Sequence, residues 1–130
     1  MHQISYILAG IAFADLILAG FVAFPGCNVR TANETACRYQ IAAFCTAIEN
    51  YRRDTGQYPL GTNALLSLVQ RPDNCQHWRG PYLQDLIPKD PWAADYVYAC
   101  PGRHNPRSYD VCSSGPPGEN AVVGNWEAKR

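Results

Sequence analysis

The chain has 130 residues, 47% hydrophobic and 17% charged, proportions that fit one globular domain and exclude both a disordered chain and a two-domain enzyme. Eleven Lys and Arg offset eleven Asp and Glu, so the basic footprint needed to neutralise many phosphates is missing and nucleic acid is excluded as a natural partner. Ten glycines and ten prolines point to a loop-rich domain around a small core.

The first element in chain order is apolar. From Ile4 to Phe24, 21 residues run with only Ser5 and Asp15 clearly polar, and a helix of that length spans about 30 Å, the thickness of a bilayer's hydrocarbon core. A cleaved secretory signal would show a basic start and a shorter apolar run, so the expectation is a retained single-pass helix, with residues 1–26 as the anchor and 27–130 as the domain it carries. Asp15 is costly in hydrocarbon, so it is either protonated or in a locally thinned bilayer, or it faces another protein and pairs with a cationic group such as a neighbouring subunit's amino terminus, the reading that makes it an assembly candidate. Pro25-Gly26 then breaks the helix at the membrane edge. Cys27 after Phe24-Pro25-Gly26 is a candidate lipidation site, weakly patterned because Phe and Pro stand where lipoprotein sites favour small or aliphatic residues.

Thr31-Ala-Asn-Glu34 fits a capping box that would start a second helix. Cys37, Ile41, Phe44, Ile48 and Tyr51 follow at spacings of 4, 3, 4 and 3, one apolar stripe down a helix that ends near Asp54-Thr55-Gly56. Thr62 or Asn63 would cap a short helix over residues 64–69, stopped by Pro72. A loop from Arg71 to Gly80 carries Cys75 and Trp78 and is long enough to return to the first helix. Residues 96–100 and 108–112 read as an antiparallel hairpin around a turn-rich PGRHNPR segment, and the Gly- and Pro-rich tail beyond Ser113 reads as a loop that something must fasten.

The six cysteines, Cys27, Cys37, Cys45, Cys75, Cys100 and Cys112, suggest disulfides and an oxidising compartment. Cys37 and Cys45 lie about 12 Å apart along a helix and cannot join each other, so Cys75 is the candidate partner for either, while Cys100 and Cys112 are placed to close the hairpin. Cys75-x-His77 and Cys100-x-x-x-His104 lack the tight paired spacing of structural zinc sites. No phosphate-binding glycine loop, GxSxG elbow or HExxH occurs, His77 and His104 read as solvated loop residues, and Asp85 with Asp90 is too ordinary a pair to carry acid and base chemistry. The expectation is therefore a protein that is not an enzyme.

Beyond these local features, Glu49-Asn-Tyr51-Arg-Arg-Asp54-Thr-Gly56-Gln-Tyr58-Pro59, then Asn63 to Val69, Arg71-Pro72, Gly80-Pro-Tyr82, Ile87-Pro88-Lys-Asp90-Pro91-Trp92, Tyr96-Val-Tyr98, Pro101-Gly102 and Gly124-Asn125-Trp126 fall in one order that resembles the major pseudopilin of bacterial type II secretion, over roughly residues 25–126. The resemblance implies an α+β, type IV pilin-like fold: a long N-terminal helix, half in the membrane, packed on a small antiparallel sheet with a short helix between. It also implies a fibre subunit of the inner membrane and periplasm that self-associates through that helix, with other pseudopilins and inner-membrane secretion components as partners. Related readings are a minor pseudopilin, a type IV pilus subunit, or a membrane-anchored or lipidated periplasmic binding module that no longer polymerises. Gly10-Ile11, with Asp15 five residues into the resulting chain, imitates the family's leader cut, but the family's basic leader is absent, and Pro25 resembles its helix-breaking proline. The resemblance further implies calcium in the tail loop, where this chain has Asn120 and Val122 in place of aspartates. Asp110, Ser113, Glu119 and Asn120 are then the weak calcium candidates, and a Cys100–Cys112 bridge worth about 3 kcal/mol is expected to fix the region in its stead.

Overall fold

The computed structural model describes residues 28–84 and 86–127. The apolar run 4–24 with Asp15, as well as Pro25, Cys27 and Asp85, lies outside the described residues; among these, no helix is long and apolar enough to cross a membrane.

Helix α1 runs from Val29 to Thr55. Its start departs from the capping-box expectation: Asn28 is the N-cap, Thr31 is already helical and its carbonyl accepts from Thr35 Oγ1, and Glu34 pairs with Arg30 instead of capping. The reason is the run of helix-compatible residues from Val29 onward, which lets the i to i+4 ladder begin with Ala32 N donating to Asn28 O. The apolar stripe behaves as its period requires, because Cys37, Ile41, Phe44, Ile48 and Tyr51 are all buried, joined by Ala47. Gly56, in the left-handed region at φ 80°, ends the helix by donating its N–H to Arg52 O.

The short element Ala64–Leu68 is a 3₁₀ helix, not an α-helix, and Asn63 makes no side-chain cap. Tertiary contacts pull it tight: Leu68 is fully buried, its carbonyl accepts from Tyr82 N, and Ser67 O accepts from Trp78 Nε1. These bonds fold the Arg71–Gly80 loop back over the helix end.

Three strands form one antiparallel sheet in the order β1 (Val97–Ala99), β2 (Asp110–Ser113), β3 (Val123–Gly124). The hairpin is present, with Val97 opposite Cys112 and Ala99 opposite Asp110. That register overturns the proposed Cys100–Cys112 bridge. Cys100 lies one residue beyond Ala99 while Cys112 faces Val97, which separates the pair by about 10 Å along the strands, more than disulfide geometry tolerates. Cys37, Cys75, Cys100 and Cys112 all carry free thiols, so the pairing of Cys75 with Cys37 or Cys45 is not formed either. The tail contributes β3, paired through Ser113 and Val123, where sequence reasoning expects only loop.

α1 packs its stripe on β2 and β3, giving the α+β layering. Tyr96 meets Phe44 edge to face, and Tyr109 stacks on Tyr98 and meets Tyr58 edge to face, so tyrosines fill the space between helix and sheet.

Candidate functional site

Three features carry chemistry or contact surface. The first is the outward face of α1. Opposite the buried stripe, Ala32, Thr35, Ala36 and Tyr39 line a shallow, largely apolar groove that begins at Asn28 and Thr31. Val29 is 70% and Tyr39 75% exposed, values that leave large apolar groups in water on a helix whose other side is fully packed.

The second is the loop between β1 and β2, organised by Asp110. One carboxylate oxygen accepts from His104 N at 2.7 Å and faces His104 Nδ1 at 3.2 Å; the other accepts from Asn105 N at 3.0 Å and Asn105 Nδ2 at 2.8 Å. Burial alone would raise the Asp110 carboxyl, but these donors hold it below the usual carboxylate range. His104 is not a merely solvated residue: its ring stacks on Trp126 with centroids 3.8 Å apart and planes 10° apart. Gly124 makes this arrangement possible, since a Cβ there would sit 2.4 Å from the Trp126 ring. Asn125 ties the same segment to β2, its Oδ1 accepting from Val111 N and its Nδ2 donating to Tyr109 O. The Gly124-Asn125-Trp126 motif thus fastens the tail by backbone mimicry and ring stacking.

The third is a cluster of buried polar groups. Ser113 Oγ donates to Asp90 Oδ2 at 2.5 Å and accepts from Gly115 N, while Asp90 Oδ1 accepts from Trp92 N and Ala94 N and so shapes the Asp90-Pro91-Trp92 turn. Ser113 also lies beside the buried thiol of Cys37, whose sulfur is 3.7 Å from the Tyr96 hydroxyl; that hydroxyl donates to Gln40. Burial pushes the Cys37 thiol and the Tyr96 phenol up, so both stay neutral at physiological pH.

The calcium candidates do not converge. Asp110 is filled by His104 and Asn105, Ser113 serves Asp90, and Glu119 points at Arg30 with 2.9 Å between the charged atoms. Among the described residues no three acidic, His or Cys groups gather as a metal site. A hard cation needing six to eight oxygens does not fit donors that are already spent on amides and a guanidinium. Cys75 lines a separate cleft with Tyr51 and His77, and burial together with the neighbouring thiol raises the Tyr51 phenol to about 12. The sequence offered no signal for the Asp110 hub beyond a carboxylate at a strand start, because two of the groups that fill it are backbone amides and the other two are side chains of ordinary turn residues, His104 and Asn105.

A sequence model of the family described as type II secretion system (T2SS), protein G matches residues 27–127. The type II secretion system core protein G of Klebsiella pneumoniae is 31% identical, over 96% of this chain and 95% of that protein. The protein of the same description from Vibrio cholerae is 34% identical over 85% and 80%. The crystal structure of the major pseudopilin from the type 2 secretion system of enterohaemorrhagic Escherichia coli superposes with a TM-score of 0.68 at 28% identity, covering 79% of this chain and 90% of that one.

Proposed function

The chain belongs to the type II secretion system protein G family, and from that premise we propose that it is a structural subunit of a secretion pseudopilus, not an enzyme, anchored in the inner membrane by residues 1–26 with residues 27–130 in the periplasm. The observation that carries the reading is the unpartnered apolar face of α1, with Ala32, Ala36 and Tyr39 exposed along it while the opposite stripe is buried in the core. Heterologous packing of such faces, with a rotation between copies that does not close, builds a fibre in place of a ring. Burying the apolar sequence 4–24 among neighbouring copies would supply the main driving force, with Asp15 fixing register and Pro25 loosening the helix on assembly. Other pseudopilins and inner-membrane secretion components are the partners this role needs.

Ala36→Glu in the full chain tests the reading, because it places a charge in the groove without touching the core. In its own host the variant should fold normally by circular dichroism after purification, yet lose fibre assembly by cross-linking and reduce cargo export at least tenfold. Normal assembly with Ala36→Glu would overturn the role of this face and favour a membrane-anchored module that does not polymerise.

A further inference from the structure

We infer that the tail loop 114–122 is a strap tied to α1 by the Arg30–Glu119 ion pair and closed on itself by a backbone pinch, and that it keeps its shape without a metal ion. Three observations carry this. The loop is closed at its base by direct backbone contact: Gly115, at φ 77°, approaches the Ala121 carbonyl so closely that a Cβ would lie 2.1 Å from its oxygen. Gly115 N donates to Ser113 Oγ, and Glu119 N to Pro116 O, which accounts for two of the loop's amides without an external ligand.

The acidic groups of the tail are already matched by cations on the helix. Arg30 Nη2 lies 2.9 Å from Glu119 Oε2, and Arg38 Nη1 lies 2.7 Å from Glu127 Oε2. Arg30 is also steadied by Glu34, at 3.3 Å, so its guanidinium bridges helix and loop. Among the described residues the buried carboxylates are Asp90 and Asp110, and each already accepts from backbone amides and polar side chains. The guanidinium of Arg30 thus occupies the electrostatic role that a bound cation would fill.

Both pairs are about half exposed, and exposed pairs stabilise by at most about 1 kcal/mol, a factor of roughly five. The strap's strength is therefore local, and hydrogen exchange of the full chain in detergent is the measurement that sees it. This readout is independent of fibre assembly, so it stands or falls apart from the proposed function. Exchange of the 118–122 amides should be the same in millimolar calcium chloride and in chelator. It should speed up about two- to fivefold in 0.5 M sodium chloride, in Arg30→Gln and in Glu119→Gln, and the double variant should be no faster than either single one. Slower exchange or a higher Tm on adding calcium would overturn the inference. Exchange indifferent to salt and to both variants, or strictly additive effects of the two, would overturn it as well.

Discussion

Asp110 shows how one side chain sets the shape of a loop that has little apolar content of its own. Three N–H donors from His104 and Asn105, with the His104 ring nitrogen beside them, converge on a carboxylate that is only 6% exposed, so the charged form is preferred in the folded chain. In the unfolded chain the same group titrates near 3.8, and the folded value lies below that. The unfolded chain therefore binds a proton more readily, and the stabilisation is fully present above the unfolded value and disappears as pH falls through the folded one. Asp110→Asn, which turns an amide donor toward these donors, should cost about 2 to 3 kcal/mol at neutral pH. Urea unfolding of the full chain between pH 7 and pH 3 checks both statements: the gap between parent and variant should be constant down to about pH 4 and then narrow. A gap that does not narrow would mean the Asp110 charge is not what the loop uses.

At the scale of elements, the strongest and the weakest parts of the fold differ in how far their residues repeat. The helix stripe was legible because Cys37, Ile41, Phe44, Ile48 and Tyr51 recur over four turns, long enough for one face to be unambiguous, and Gly56 supplies the stop. The capping box misled because Thr31 and Glu34 fit the pattern equally well one turn inside a helix. The hairpin was legible as a hairpin but not in register: strands of three and four residues carry too few alternations to fix pairing, and the disulfide inferred from them failed with it. β3, two residues long, has no period at all, and its existence depends on Asn125, which occupies β2 as a third partner would. Removing that side chain leaves the buried Val111 amide without its acceptor, so Asn125→Ala should cost about 1 to 3 kcal/mol. Hydrogen exchange should show the Val111 amide and residues 123–126 losing protection while the middle of α1 keeps it; equal loss in both places would mean β3 is not a separable unit.

On the scale of the whole molecule, the buried polar groups of Asp90 and Ser113, lying beside those of Cys37, Tyr96 and Gln40, join the parts that apolar packing alone would leave free to slide. They connect the turn after residue 90, strand β2 and the first half of α1, and no buried side-chain oxygen or nitrogen among the described residues lacks a partner. Apolar contact is tolerant of small shifts, whereas a buried hydrogen-bonded group has one geometry and a penalty for leaving it, so these groups fix how the helix lies on the sheet. That orientation matters for the proposed role, because it decides where the exposed groove of Ala32, Ala36 and Tyr39 points relative to the rest of the domain. Sequence reasoning placed Ser113 among cation ligands and Cys37 among disulfide candidates because neither residue type reveals its partner before the chain is folded. Ser113→Ala tests the idea, since it removes one hydroxyl from a fully buried position and leaves one Asp90 oxygen and the Gly115 amide short of a partner. The expected cost is about 2 to 3 kcal/mol, well above the sub-kilocalorie loss of a solvent-facing hydroxyl. Hydrogen exchange should speed up together in the 90–94 turn, in β2 and around Cys37, and fibre assembly should weaken although every residue of the groove is intact. Faster exchange confined to the neighbours of Ser113, with assembly unchanged, would show that the helix is oriented by its apolar stripe alone.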